Sequence, residues 1–224
     1  MSIIKGLRFS IFTVAILSVL GLLLSCSSPA ATGTGTTTPR TPPPGVFSPT
    51  PTDTAAYDLS YLVGSDPAKV DNSNLPVTPL DLIHVTGSPS DVDITIYRLT
   101  IDGLVDTPLS LTYDQIKQYP AVTETVLLIC PGIFVDNAEW TGVPLATLLD
   151  AAGVNPKAYE LIFHDGDQYQ KSFFLKDMER DGVFLAYMVD GQVLPKEHGF
   201  PLRLVVKGNY GNDWVKWVDR IEIK

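Results

Sequence analysis

Redox or metal chemistry would fall to two cysteines and three histidines in this sequence. Cys130 stands in Leu127-Leu128-Ile129-Cys130-Pro131-Gly132-Ile133-Phe134, an apolar run broken by Pro-Gly. A lone thiol in such a run has two readings. It is either a buried small hydrophobe or a soft thiolate ligand for a redox metal. His84, His164 and His198 are spaced too widely to define a metal site by spacing alone. The sequence contains no Gly-rich phosphate loop, no paired-cysteine zinc motif and no Gly-x-Ser-x-Gly elbow. Residue types alone therefore name no reaction.

The elements that must position these residues are signalled from about residue 79 to 224. That span is long enough for one domain with a real core. Residues 93–103 alternate and are rich in β-branched side chains, which predicts a strand closing in a turn at Asp102-Gly103. Thr112 and Gln115 have capping-box spacing, and Pro120 ends the short helix they open. Residues 123–130 predict a buried strand that stops at Cys130, where Pro131-Gly132 forces a loop. Pro144 at the start and Gly153 at the exit bracket a helix with Leu145, Leu148, Leu149 and Ala152 on one face. Residues 159–166, 184–194, 201–208 and 218–224 read as further strands, with Asp-Gly turns at 165–166 and 190–191. Strands outnumber helices and alternate with them, so the expected class is a mixed, strand-rich α+β fold.

The C-terminal residues add a resemblance. Residues 184–223 resemble the end of the molybdopterin-binding domain of the sulfite oxidase-like family. The matching pieces are Leu185-Ala186-Tyr187, Asp190-Gly191 ahead of Leu194-Pro195, His198-Gly199-Phe200-Pro201-Leu202-Arg203, Gly211, Val215-Lys216-Trp217 and Arg220-Ile221-Glu222. Upstream, Cys130 is followed by Trp140, Gly142, Val143, Pro144 and Leu145 in the family's order. The resemblance implies the family's fold and Mo-molybdopterin as cofactor. It implies Cys130 as the thiolate on molybdenum and His198 and Arg203 as holders of the pterin and its phosphate. An arginine suits phosphate through charge-assisted, bidentate bonds. Trp214, Val215 and Lys216 match a segment that lines the cofactor. Asp165 falls near a pterin-contacting aspartate, although a plain Asp-Gly turn explains it equally. His84-Val85-Thr86 replaces an Arg-Asn-His-like segment, leaving His84 to reach a phosphate. True sulfite oxidases follow their cysteine with Gly-Asn-Arg-Arg; here Pro131-Gly132-Ile133-Phe134-Val135-Asp136 follows, without the arginine that grips an anion. The implied function is oxygen-atom or two-electron transfer on a small molecule other than sulfite, with an electron-transfer partner. The alternative is a non-catalytic relative that binds a pterin-like or other small anionic ligand without metal.

The N-terminal residues point to a compartment. Lys5 and Arg8 precede an apolar run from Ile11 to Leu24, shorter than a membrane span, so residues 1–25 read as a signal peptide. The run ends in Leu23-Leu24-Ser25-Cys26, which resembles a bacterial lipobox and makes Cys26 the lipidated residue. Residues 26–56 are rich in Thr, Pro, Gly and Ser and read as a disordered tether. Residues 57–224 are then the oxidoreductase domain. Removing residues 1–25 takes Lys plus Arg from 16 to 14 against 25 acids, so the net charge moves from −9 to −11. Such acidity argues against nucleic acid and leaves the lipid as the membrane contact. With Cys26 lipidated, no internal disulfide is possible. The expected location is the bacterial cell envelope, outside the cytoplasm. Lys5-Gly6-Leu7-Arg8 is not a twin-arginine signal, so export of a metal-loaded domain needs another route, or the domain folds outside without its metal. The sequence ends at Lys224, and the expectation is that the family's C-terminal dimerisation domain and a haem domain are both absent.

Overall fold

The computed structural model describes residues 54–166 and 169–224. The predicted signal peptide, the lipidated Cys26 and most of the tether lie outside the described residues. In chain order the strands and helices begin with β1 (Leu99–Gly103), β2 (Leu109–Leu111), α1 (Tyr113–Ile116), β3 (Val122–Cys130) and β4 (Phe134–Pro144). They continue with α2 (Leu145–Ala152), β5 (Glu160–Asp165), β6 (Tyr169–Phe174) and α3 (Leu175–Met178). The last are β7 (Val183–Val189), β8 (Gln192–Val193), β9 (Arg203–Val206) and β10 (Arg220–Ile223). One sheet runs β2-β1-β10-β5-β6; the other runs β3-β4-β7-β8 with β9 also on β7. Only β1 and β10 pair in parallel among the described pairs. The class is the expected strand-rich α+β.

Local chemistry fixes several boundaries. Both halves of the Thr112–Gln115 capping box form. In α2 the four predicted apolar residues are all buried, and Gly153 leaves the helix in the left-handed region at φ 67°. The predicted strand over 93–103 needs correction: only Leu99–Gly103 is strand. The Asp93 carboxylate accepts from the Thr95 backbone N–H at 2.9 Å and its hydroxyl at 2.7 Å, which turns residues 93–96 out of extended geometry.

The long hairpin of β3 and β4 is buried on both faces. Val126, Leu128, Phe134, Ala138 and Trp140 join the main core, whereas Leu127, Ile129 and Val135 form a second cluster with Leu59. Leu62, Val63, Val70 and Leu75 pack against that second cluster. Order thus begins well before residue 79. Asn137, fully buried, is the anchor: its Oδ1 accepts from Asn72 Nδ2 at 2.8 Å, and its backbone carbonyl accepts from Thr78 N–H at 2.6 Å. Gly142 lets β4 meet β7, since a Cβ there would stand 2.1 Å from the Leu185 carbonyl oxygen.

Candidate active site

β3 ends at Cys130, and a tight turn through Gly132 (φ 74°) returns the chain into β4, with Ile133 N–H donating to the Cys130 carbonyl at 3.0 Å. Cys130 lies directly across the ladder from Phe134. Its thiol is free, half-buried and packed against the main core. The His84 ring stacks on Phe134 at 4.6 Å between centroids. His84 also carries two bonds to Asp136: its backbone N–H donates to Oδ2 at 2.9 Å, and Nδ1 lies 2.8 Å from Oδ1. Asp136 is fully buried. Burial pushes its carboxyl up from the ordinary range, against the lowering effect of His84 and, more weakly, of Arg203.

From Asp136 the network reaches the predicted cofactor residues. Arg203 opens β9, is buried, and donates from Nη1 to the His198 carbonyl at 3.1 Å. Its guanidinium lies 5.2 Å from the Trp140 ring centroid and 5.5 Å from that of Trp214. The two indoles meet edge to face at 5.7 Å. His198 ends a short turn whose exit, Gly199 at φ 113°, lies against Lys216; a Cβ there would stand 3.1 Å from the Lys216 Cβ. The Lys216 ammonium donates to the Thr86 and Glu197 carbonyls, both at 2.8 Å. Lys216 thereby ties the 84–86 segment to the His198 turn.

This cluster is short of negative charge. Burial, then the neighbouring Arg203 and Lys216, hold the His198 imidazole down at about 4. Burial and Arg203 bring Lys216 down to about 8, and burial brings Arg203 down to about 10. His198 Nδ1, Arg203 Nε, Trp140 Nε1 and Trp214 Nε1 are buried without a hydrogen-bond partner among the described residues. Buried polar atoms are normally paired. Four unpaired ones around mutually repelling cations fit a bound anionic group with acceptor oxygens, which is the chemistry of a pterin phosphate.

Not every predicted residue joins. Val215 is a core residue whose carbonyl accepts from Leu204 N–H at 2.8 Å. Asp165 closes β5 in the other sheet. Burial and then the adjacent Asp219 push its carboxyl up to about 6. His84 is committed through Nδ1 and its backbone N–H to Asp136, not to the cation cluster. Sequence reasoning missed Asp136 as a partner of His84. Its one signal was an acid inside an apolar stretch. A cleft of about 420 Å³ lined by His84, Ile133, Phe134, Asp136 and residues 54–55 and 57–60 opens beside the Cys130 turn. A larger one, about 660 Å³, lies elsewhere, against Pro79, Glu139 and Asp190.

The fold and site define a molybdopterin-type oxidoreductase domain, and comparison with known proteins agrees. Residues 85–224 match the family described as oxidoreductase molybdopterin binding domain. The chain belongs to that family, in its sulfite oxidase-like branch, and Mo-molybdopterin is its cofactor. The uncharacterized oxidoreductase YuiH of Bacillus subtilis (strain 168) is 31% identical over 153 residues, covering 67% of this chain and 76% of that protein. An NADPH nitrate reductase of Phytophthora infestans is 31% identical over 180 residues, 66% of this chain. The chain spans about a fifth of that enzyme's length (20%). Among solved structures, the sulfane dehydrogenase SoxCD from Paracoccus pantotrophus superposes with a TM-score of 0.62 at 32% identity, covering 70% of this chain and 45% of that one.

Proposed function

We propose that this protein is a lipid-anchored oxidoreductase of the bacterial cell envelope that carries out oxygen-atom or two-electron transfer on a small, neutral or weakly polar molecule, a sulfoxide rather than sulfite. Cys26 carries the lipid that attaches it to the membrane, and residues 27–56 are the tether. His198, Arg203, Trp214 and Lys216 hold the anionic part of the cofactor, and Cys130 supplies the thiolate to molybdenum. The bound cofactor supplies the redox chemistry, and the chain supplies position, electrostatics and exclusion of water. An electron-transfer partner completes the cycle.

The observation that carries the substrate reading is the surface beside Cys130. The turn is Pro131-Gly132-Ile133, with Ile133 71% exposed, and it brings no cation to the cleft. Its first charged residue, Asp136, is already bonded to His84. Lys171 and Lys207 are engaged elsewhere, with Asp213 at 2.8 Å and Glu124 at 2.9 Å. An anion entering here would lose hydration without a fixed positive partner. The test is molybdenum analysis of protein purified from its own host, followed by steady-state kinetics with sulfite, dimethyl sulfoxide and methionine sulfoxide. Sulfoxide turnover with little sulfite oxidation is expected. Efficient sulfite oxidation without sulfoxide reduction would refute the substrate reading, and molybdenum-free protein would refute the catalytic one.

A further inference from the structure

Reducing a sulfoxide breaks one sulfur–oxygen bond. Two electrons, supplied by the electron-transfer partner, and two protons convert the substrate to a sulfide and release the oxygen as water. Both protons must be placed on the oxygen where it sits in the cleft. Several ionisable groups line or adjoin that cleft. Asp58 carries its charge into it, but the Ser60 backbone N–H and hydroxyl hold that carboxyl below its ordinary range, so it is a poor proton donor. Asp136 is fully buried, and its two oxygens are both taken by His84. Arg203 acts on Asp136 electrostatically, and Lys216 is held on the Thr86 and Glu197 carbonyls. Tyr57 also lines the cleft.

His84 has a different geometry. Its ring is fixed on one face by stacking against Phe134 and at Nδ1 by Asp136. With Asp136 ionised, Nδ1 must donate, so the neutral ring carries its proton on Nδ1 and leaves Nε2 for exchange. The side chain remains 55% exposed and lines the 420 Å³ cleft beside the Cys130 turn. A histidine with one nitrogen pinned by a buried carboxylate and the other open to a substrate-sized cavity is the arrangement of a general acid. We infer that His84 takes a proton from solvent at Nε2 and, as the imidazolium, delivers it to substrate oxygen in this cleft, the second proton arriving by the same exchange, and that Asp136 is the positioning residue that fixes its tautomer and orientation. Proton delivery rests on the proposed sulfoxide substrate; the tautomer and its partner are properties of the chain itself.

Two measurements test it. In uniformly ¹⁵N-labelled protein, long-range ¹H–¹⁵N spectra report the tautomer of each histidine, with the His84 signals assigned by their loss in His84→Gln. The Nδ1-protonated form is expected in the native protein, and Asp136→Asn should release the ring to a mixture. A native ring protonated on Nε2, or an unchanged tautomer in Asp136→Asn, overturns the positioning role. In the metal-loaded enzyme, His84→Gln should lower kcat for methionine sulfoxide about a hundredfold, leave KM nearly unchanged and flatten the pH dependence of kcat. An unaltered kcat and pH profile overturns the proton-delivery role. If native holoenzyme reduces no sulfoxide, the substrate reading and proton delivery to a sulfoxide fall together, while the tautomer spectra still decide whether Asp136 positions His84.

Discussion

Replacing Arg203 with Met separates a cofactor-binding cation from a structural one. Arg203 is 4% exposed, and the Asp136 carboxylate acts on it without making an ion pair within bonding distance. Burial lowers its guanidinium to about 10, which corresponds to roughly 3 kcal/mol of destabilisation when the ion is buried charged. Because the folded state holds this proton less tightly than the unfolded chain, the cost is present in full at every pH below about 10, neutral pH included. Met fits between the Trp140 and Trp214 rings and keeps a sulfur–aromatic contact in place of the cation–π one. The His198 carbonyl loses a 3.1 Å bond, at a cost of about 1 kcal/mol. The net expectation for cofactor-free Arg203→Met is a gain of about 2 kcal/mol, or roughly 4–8 °C in Tm for a domain of this size. Cofactor retention should move the other way, because a buried anion left without its partner costs about 2–5 kcal/mol, which weakens binding by at least about 30-fold. Thermal unfolding of the cofactor-free proteins, paired with molybdopterin content after desalting, reads both effects. A cofactor-free Arg203→Met that melts several degrees below the native protein would show that the chain itself satisfies this charge, and the anion-binding assignment would fall.

Lys216 should give a pH signature: its pKa in the fold is about 8, below the unfolded value, so it contributes a rise in cofactor-free stability with pH from about 8 upward, which Lys216→Met should remove in urea titrations at stepped pH; identical pH slopes would contradict it. Gly142→Ala places a Cβ 2.1 Å from the Leu185 carbonyl and should cost upward of about 3 kcal/mol, read as a collapse of the denaturation midpoint; a native-like midpoint would mean β4 and β7 part without penalty. Asn137→Ala deletes the bonds to Asn72 and to the Leu75 and Pro76 carbonyls, and should destabilise by about 2–3 kcal/mol and open residues 57–78 to protease before the rest of the domain; uniform cleavage would show that the second apolar cluster suffices without it.

The sequence was legible where the signal is local. The capping box at Thr112, the glycine exit of α2 and the end of β3 at Cys130 each depend on neighbours a few residues away, and each formed as read. β4 was not legible. Both of its faces are buried, so its alternation of apolar and polar residues carried no inside–outside contrast. Its polar members are satisfied from afar: Asp136 by His84 across 52 residues, Asn137 by Asn72 across 65. The same distance hid the wrap of residues 59–75, which has no period of its own and is ordered only by what it covers. Asp165 was open to two readings in the sequence, a pterin contact or a plain Asp-Gly turn; it closes β5 beside Asp219. The basic trio was the easier part, because His198, Arg203 and Lys216 lie close in sequence and the glycine at 199 folds the turn back onto Lys216. Burial lowers the basicity of all three, and Arg203 adds to the lowering of His198 and Lys216, so the two cations and the imidazole beside them destabilise the fold that holds them. Charge and burial at these unpaired atoms fit an anion between them.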